Sequence, residues 1–247
     1  MEKAYEEKYH ANEDTNWWFL GRQGIINRLL KQYNVPHDAR IIDVGCASGA
    51  LMQHLRKQGY TRLTGVDISK TAIDRVKKRG FHDAHVMDAA APQLPEETFD
   101  VVIASNILEH IEDEAQALSH WHTLLKPNGL LMVFVPAYQF LWSGHDIVNQ
   151  HYRRYTRGQL LHGIKEAGFR VSRSSYWNFC ILFPSLLIAL IRRIDGKGQH
   201  TVSDALHTPP GLLNTLAWDL LSMENKLLRF INYPCGVSVL VVARKSV

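Results

Sequence analysis

The run Ile41-Ile42-Asp43-Val44-Gly45-Cys46-Ala47-Ser48-Gly49 restricts this chain more than any other stretch. Its first residues read as a buried strand that runs straight into a glycine turn. Leu51, Met52 and Leu55 follow at helical spacing, so a helix opens just after the turn. Strand, glycine turn and helix start in that order make a cradle. The glycines let backbone approach a ligand with no side chain in the way. The unpaired N–H groups at the helix start favour anionic or polar ligand atoms. At the head of an α/β sheet, such a turn lies at the carboxyl ends of the strands, where ligands bind.

Two frames compete for the turn. The dinucleotide pattern G-x-G-x-x-G/A falls on Gly45, Ala47 and Ala50, which puts a methyl group where a pyrophosphate must approach. The frame acidic-x-G-x-x-x-G falls on Asp43, Gly45 and Gly49. It suits S-adenosylmethionine, which has no pyrophosphate and carries an ammonium for an acidic residue to hold. In that frame the stretch resembles the first motif of the class I S-adenosylmethionine-dependent methyltransferases, with Ala47 where a glycine is usual.

More motifs follow in order. Leu63 to Asp67 is a second strand, and Asp67 ends it about twenty residues beyond the turn, where an acid can hold ribose hydroxyls. Asp88 follows a third, weaker strand. Then come the Leu94-Pro95 loop, Phe99-Asp100 opening a fully apolar strand, and Leu108-Glu109-His110. Lys126-Pro127-Asn128-Gly129 is a turn before a fifth strand from Leu130. This series is similar to the class I methyltransferase core over roughly residues 38–137. The resemblance implies an α/β fold: a three-layer, doubly wound, mostly parallel seven-stranded sheet (Rossmann-like) whose last strand is antiparallel and inserted beside the sixth. It implies S-adenosylmethionine as cofactor. Asp43, Gly45 and Gly49 would face its methionine part, Asp67 its ribose, and Asp88 and Ala89 its adenine. Asn106 would sit at the methionyl end, and Cys46 and Ile68 would complete the contacts.

The chain divides into an N-terminal helical cap (1–37), a core (38–176 and 236–247) and an apolar helical insertion before the last strand (177–235). Met1 to Asp14 reads as polar and loose. Asn16 or Asp14 caps the next helix, and Trp17, Trp18 and Phe19 pin it to the core; the alternative is a lid over the site. In the insertion, Phe179 to Ile191 and then Leu212 to Leu228 form two apolar helical patterns joined by a Gly/His/Ser/Pro-rich linker, with Arg192 and Arg193 at the flank of the first. Such helices need a partner. A dimer contact, a cap over the substrate and docking on a membrane surface all satisfy that need.

From Pro136 to Thr156 an irregular segment overhangs the ligand edge, and loops that long are usually functional. In-line methyl transfer asks for alignment and dryness, and for a base only when the acceptor loses a proton. His145 and His151 of this segment, and His110 before it, are the candidate bases. Tyr138, Trp142, Tyr152, Arg153 and Arg154 are the candidate substrate contacts; a salt bridge ordering the loop is the other reading of the arginines.

The chain's net charge of +4 is too small to indicate nucleic acid, although nine basic side chains stand against two acidic ones between His151 and His200. Cys46, Cys180 and Cys235 show no metal spacing, and no metal is expected. The charged start and few cysteines fit a cytoplasmic setting, with membrane association through the insertion. The acceptor is expected to be a small or lipid-linked molecule methylated on oxygen or nitrogen. An NAD(P)-dependent oxidoreductase and a non-catalytic cofactor-binding module are the rival readings.

Overall fold

The computed structural model describes residues 3–194 and 211–246. Seven strands form one sheet: β1 (Arg40–Val44), β2 (Arg62–Asp67), β3 (Ala84–Val86), β4 (Phe99–Ser105), β5 (Leu125–Pro136), β6 (Phe169–Trp177) and β7 (Ser238–Lys245). Their order is β3-β2-β1-β4-β5-β7-β6. The first five are parallel, and β7 runs antiparallel between β5 and β6. This is the expected sheet. The inner strands are buried on both faces, so they read as unbroken apolar runs such as Val101-Val102-Ile103-Ala104.

The helices are α1 (Lys3–Asn12), α2 (Trp17–Gln32), α3 (Ala50–Lys57), α4 (Lys70–Lys78), α5 (Glu114–Leu124), α6 (Gly144–Val148), α7 (Arg157–Glu166), α8 (Phe179–Ile194) and α9 (Gly211–Leu227). Strand order reverses between β1 and β4. Right-handed crossovers therefore place α3 and α4 on one face and α5 on the other, and leave a crevice at the carboxyl ends of β1 and β4. The caps are those the sequence offers. Asn16 accepts from Trp18 N at 2.9 Å, Ser69 from Ala72 N at 3.2 Å and Asp113 from Gln116 N at 2.9 Å. Thr156 and Gln159 form a reciprocal capping box on α7.

Three local expectations need correction. The start of the chain is not loose: α1 forms there, and His10 and Glu13 are buried, with Glu13 accepting a hydrogen bond from the Ser48 hydroxyl of the glycine turn. Sheet pairing begins at Leu125, opposite Phe99, and Lys126 to Gly129 is an excursion within β5 before Leu130 meets Val101. The irregular segment holds a 3₁₀ turn at Gln139–Leu141 and the short α6, which Ser143 and Asp146 close with a capping box.

The insertion finds part of its partner in α2. Gly21 lets the two helices touch: a Cβ there would stand 2.1 Å from Leu221 Cδ2. Asn225 then bridges them, accepting from Trp177 Nε1 at 2.7 Å and donating to Gly21 O at 2.8 Å. Glu224 of α9 caps α8, accepting from Phe179 N at 2.9 Å and Cys180 N at 3.3 Å. The outer faces stay apolar and exposed, with Phe183, Leu187 and Leu190 on α8 and Leu212, Leu213 and Leu216 on α9. No described helix is long and apolar enough to cross a membrane. The linker over 195–210 and the side chains of Arg192 and Arg193 lie outside the described residues.

Candidate functional site

A cavity of about 430 Å³ opens at the carboxyl ends of β1, β2 and β4, at the point where strand order reverses. Its floor is the glycine turn. Gly45 has φ +77°, and a Cβ on it would lie 2.7 Å from Ile107 Cδ1, so only glycine fits. Ala47 at φ +47° and Gly49 at φ +80° continue the left-handed path. Val66 O accepts from Gly45 N at 2.8 Å and Cys46 N at 3.0 Å, which ties the turn to β2. Asp67 strengthens the tie by accepting from Ala47 N and Ser69 N, each at 2.9 Å. Asp67 thus fixes the turn as well as facing the cavity.

Asp43 is buried behind the turn. Burial raises its carboxyl to about 7, against the pull of the Arg22 guanidinium and with a push from Glu13 and Asp67. Such a group is a carboxylate short of a cation. Arg22 donates to Asn106 Oδ1 at 3.2 Å and lies over the Trp18 ring, 4.6 Å from its centroid. Asn106 holds φ +57°, a conformation asparagine tolerates, and donates in turn to Glu109 Oε1 at 3.0 Å.

The roof comes from the N-terminal helices through Tyr9, Glu13, Phe19 and Arg22. Arg79 latches this roof to α4, donating to Asp14 Oδ2 at 2.8 Å. Sequence reasoning missed Tyr9, Glu13 and Arg22. The one available signal was Arg22 four residues after Trp18, on the same face of a helix already read as a lid alternative.

Of the residues singled out in the sequence, Asp43, Gly45, Cys46, Asp67, Ile68, Asn106, His110 and Tyr152 border this one cavity. The others stand elsewhere. Gly49 caps α3 behind the turn. Asp88 is exposed and accepts from Ala90 N at 2.8 Å, while the buried Ala89 accepts from Trp121 Nε1 through its carbonyl. Tyr138 is stacked between Phe140 and Tyr176, and Trp142 is half-buried after the 3₁₀ turn. Arg153 donates to Glu112 O at 2.7 Å and pairs with Glu114 at 3.2 Å. Arg154 makes two bonds to Asp146, at 2.8 and 2.9 Å, and so orders the loop. Asp146 is fully buried, and His151 Nδ1 lies 2.9 Å from its Oδ1. His145 packs edge-on against His151, and burial followed by the charge of His151 pulls it down to about 4.

A family model described as a methyltransferase domain matches residues 21–174. A ubiquinone biosynthesis O-methyltransferase of Bradyrhizobium diazoefficiens is 31% identical over 110 residues, 43% of each chain. One from Hydrogenovibrio crunogenus is 26% identical over 166 residues, 60% of this chain and 63% of its own length. This chain therefore spans only about half the length of the curated relatives it matches. Among solved structures, a SAM-dependent methyltransferase of Thermotoga maritima is similar with a TM-score of 0.61 at 16% identity, over 98% of this chain and 99% of that one. At that identity the likeness speaks for the fold.

Proposed function

The chain belongs to the methyltransferase-domain family, and on that premise we propose that it moves a methyl group from S-adenosylmethionine to a small-molecule acceptor. One observation carries the reading: Asp43, buried and short of a cation, stands behind a turn whose Gly45 has no room for a side chain. That fits an ammonium-bearing ligand held close to backbone, and Ala47 in the same turn disfavours a pyrophosphate. Asp43 would hold the ammonium, and Asp67 and Ile68 at the end of β2 the ribose and the base. Asn106 and Arg22 would face the methionyl carboxylate. The sulfonium supplies an electrophilic methyl carbon when the cofactor is bound. The chain's own residues orient it and keep the site dry, with Phe19 and Tyr9 closing the roof. We read segment 1–37 as that lid, on the support of its six lining residues, Tyr9, His10, Glu13, Phe19, Arg22 and Gln23.

On the acceptor side stand His110 and Tyr152. Burial, then the charge of His151, pulls His110 down to about 3, so its ring is neutral at physiological pH. The exposed apolar faces of α8 and α9 support a hydrophobic or lipid-linked acceptor met at a membrane surface, and the O-methyltransferase relatives support oxygen as the methylated atom. The test is titration calorimetry with S-adenosylmethionine and S-adenosylhomocysteine. Both are expected to saturate at one per chain. Asp67→Ala is expected to weaken them by tens to hundreds of fold, on the order of two hydrogen bonds to a charged group at about 1–2 kcal/mol each. Folded protein that binds neither ends the proposal.

A further inference from the structure

We propose that Glu109, His110 and His151 form a binding site for a divalent transition-metal ion at the wall of the cavity. One ligand atom from each lies within 4.8 Å of the other two. Glu109 and His110 sit on the 3₁₀ turn Leu108–His110 that leaves β4. His151 comes from the segment before α7, which is stitched to that turn by Tyr152 N donating to Glu109 O at 2.8 Å.

Each of the three is set up as a ligand. Glu109 is fully buried. Asn106 satisfies its Oε1, whereas its Oε2 has no hydrogen-bond partner among the described residues. A buried orphan carboxylate oxygen is costly unless a cation meets it. His151 Nδ1 faces the Asp146 carboxylate, which can only accept, so Nδ1 donates there and Nε2 is the ring nitrogen left to coordinate. A carboxylate behind a histidine is the usual outer support of a metal-bound imidazole. The His110 ring is hydrogen-bonded to the Asn149 backbone and meets His151 edge-on, with centroids 4.5 Å apart. Two imidazoles and one carboxylate select Fe²⁺, Mn²⁺, Co²⁺ or Zn²⁺ over Mg²⁺ or Ca²⁺, which want oxygen. Three protein ligands leave positions open, and His110 and Asn106 border the cavity.

The role of the site rests on the methyl-transfer reading above; its existence does not. An acceptor hydroxyl placed against such an ion becomes acidic enough to ionise near neutral pH. The hydroxyl proton passes to solvent water and the oxygen forms a bond to the methyl carbon. The carbon–sulfur bond breaks with its electron pair staying on sulfur. An oxygen acceptor, and one with a second oxygen to chelate, is therefore the class this site fits.

The test strips the full chain with a chelator and titrates Co²⁺ by calorimetry and visible absorption, with S-adenosylhomocysteine titrated in parallel. One Co²⁺ per chain with ligand-field bands is expected. Glu109→Gln, which keeps the side chain's shape, and His151→Ala should each weaken it at least about thirtyfold while S-adenosylhomocysteine affinity stays within about threefold. No saturable Co²⁺ binding, or binding equally tight in both variants, overturns the site. Loss of S-adenosylhomocysteine binding in the parent chain would instead overturn the methyl-transfer reading and leave the metal result standing.

Discussion

Asp146→Ala is expected to destabilise the fold by about 3–5 kcal/mol, because it leaves the Arg154 guanidinium buried without its partner. In a chain of this size that lowers the melting temperature by on the order of 10 °C. The residue looks peripheral in the sequence, one acid in an irregular loop. In the structure its two oxygens meet Arg154 Nε at 2.8 Å and Nη2 at 2.9 Å, His151 Nδ1 at 2.9 Å and Ser143 N at 2.8 Å. Arg154→Met added to Asp146→Ala should recover much of the loss, since the pair then vanishes together. A double variant as unstable as the single would show that the arginine is not what suffers. Acidity supplies a second check. Burial pushes the Asp146 carboxyl up, but bonds from His151 and Arg154 and the arginine's charge overcome this and hold it below the usual carboxylate range. A group with a depressed folded pKa gives stability that is present above its unfolded value, near 4, and lost as pH falls below it. The parent should therefore lose stability below about pH 4 more steeply than Asp146→Ala in denaturant titrations.

The same residue shows where sequence reading stops. Sheet, glycine turn and strand-end acids were legible because each leaves a local mark: unbroken apolar runs for strands buried on both faces, and Gly45 where a Cβ would strike Ile107. Pairings between distant segments leave none. Nothing near Glu13 announces that it meets Ser48, 35 residues away, so α1 read as a loose polar start. Asp146 and Arg154 are eight residues apart in a stretch without periodicity, and a capping box with a buried ion pair had no signature there. Glu109 and His110 were read as part of a family motif, and His110 and His151, with His145, as candidate bases. Only the fold brings Glu109, His110 and His151 within 4.8 Å. The bonds around Asp88 and Ala89 are of both kinds: Ala90 N donates to Asp88 within the local turn, and Trp121, 32 residues away, donates to Ala89 O.

Asp43→Asn is expected to weaken S-adenosylmethionine binding by a hundredfold or more, since the ligand's ammonium would then be buried without its counter-charge at a cost of about 3–5 kcal/mol. The substitution conserves volume, so the glycine turn should hold and the variant should melt close to the parent. The stronger evidence lies in the pH dependence. With no ligand bound, the Asp43 carboxyl sits at about 7, chiefly through burial. Binding an ammonium requires the ionised form. Below pH 7 the ligand must therefore expel a proton, and affinity should fall about tenfold per pH unit, then level off above pH 7. The sign for folding is the opposite. A carboxyl whose folded pKa is raised favours the fold most below its unfolded value near 4, and that contribution is lost as pH rises through about 7. The free chain thus carries a strained anion at neutral pH, which the cofactor's ammonium relieves. 5′-Methylthioadenosine has no ammonium and should bind with no such slope. Calorimetry of both ligands between pH 5.5 and 8, on the parent and on Asp43→Asn, separates the cases. A slope shared by the two ligands, or surviving in Asp43→Asn, would mean that another group titrates and that Asp43 does not hold the ammonium.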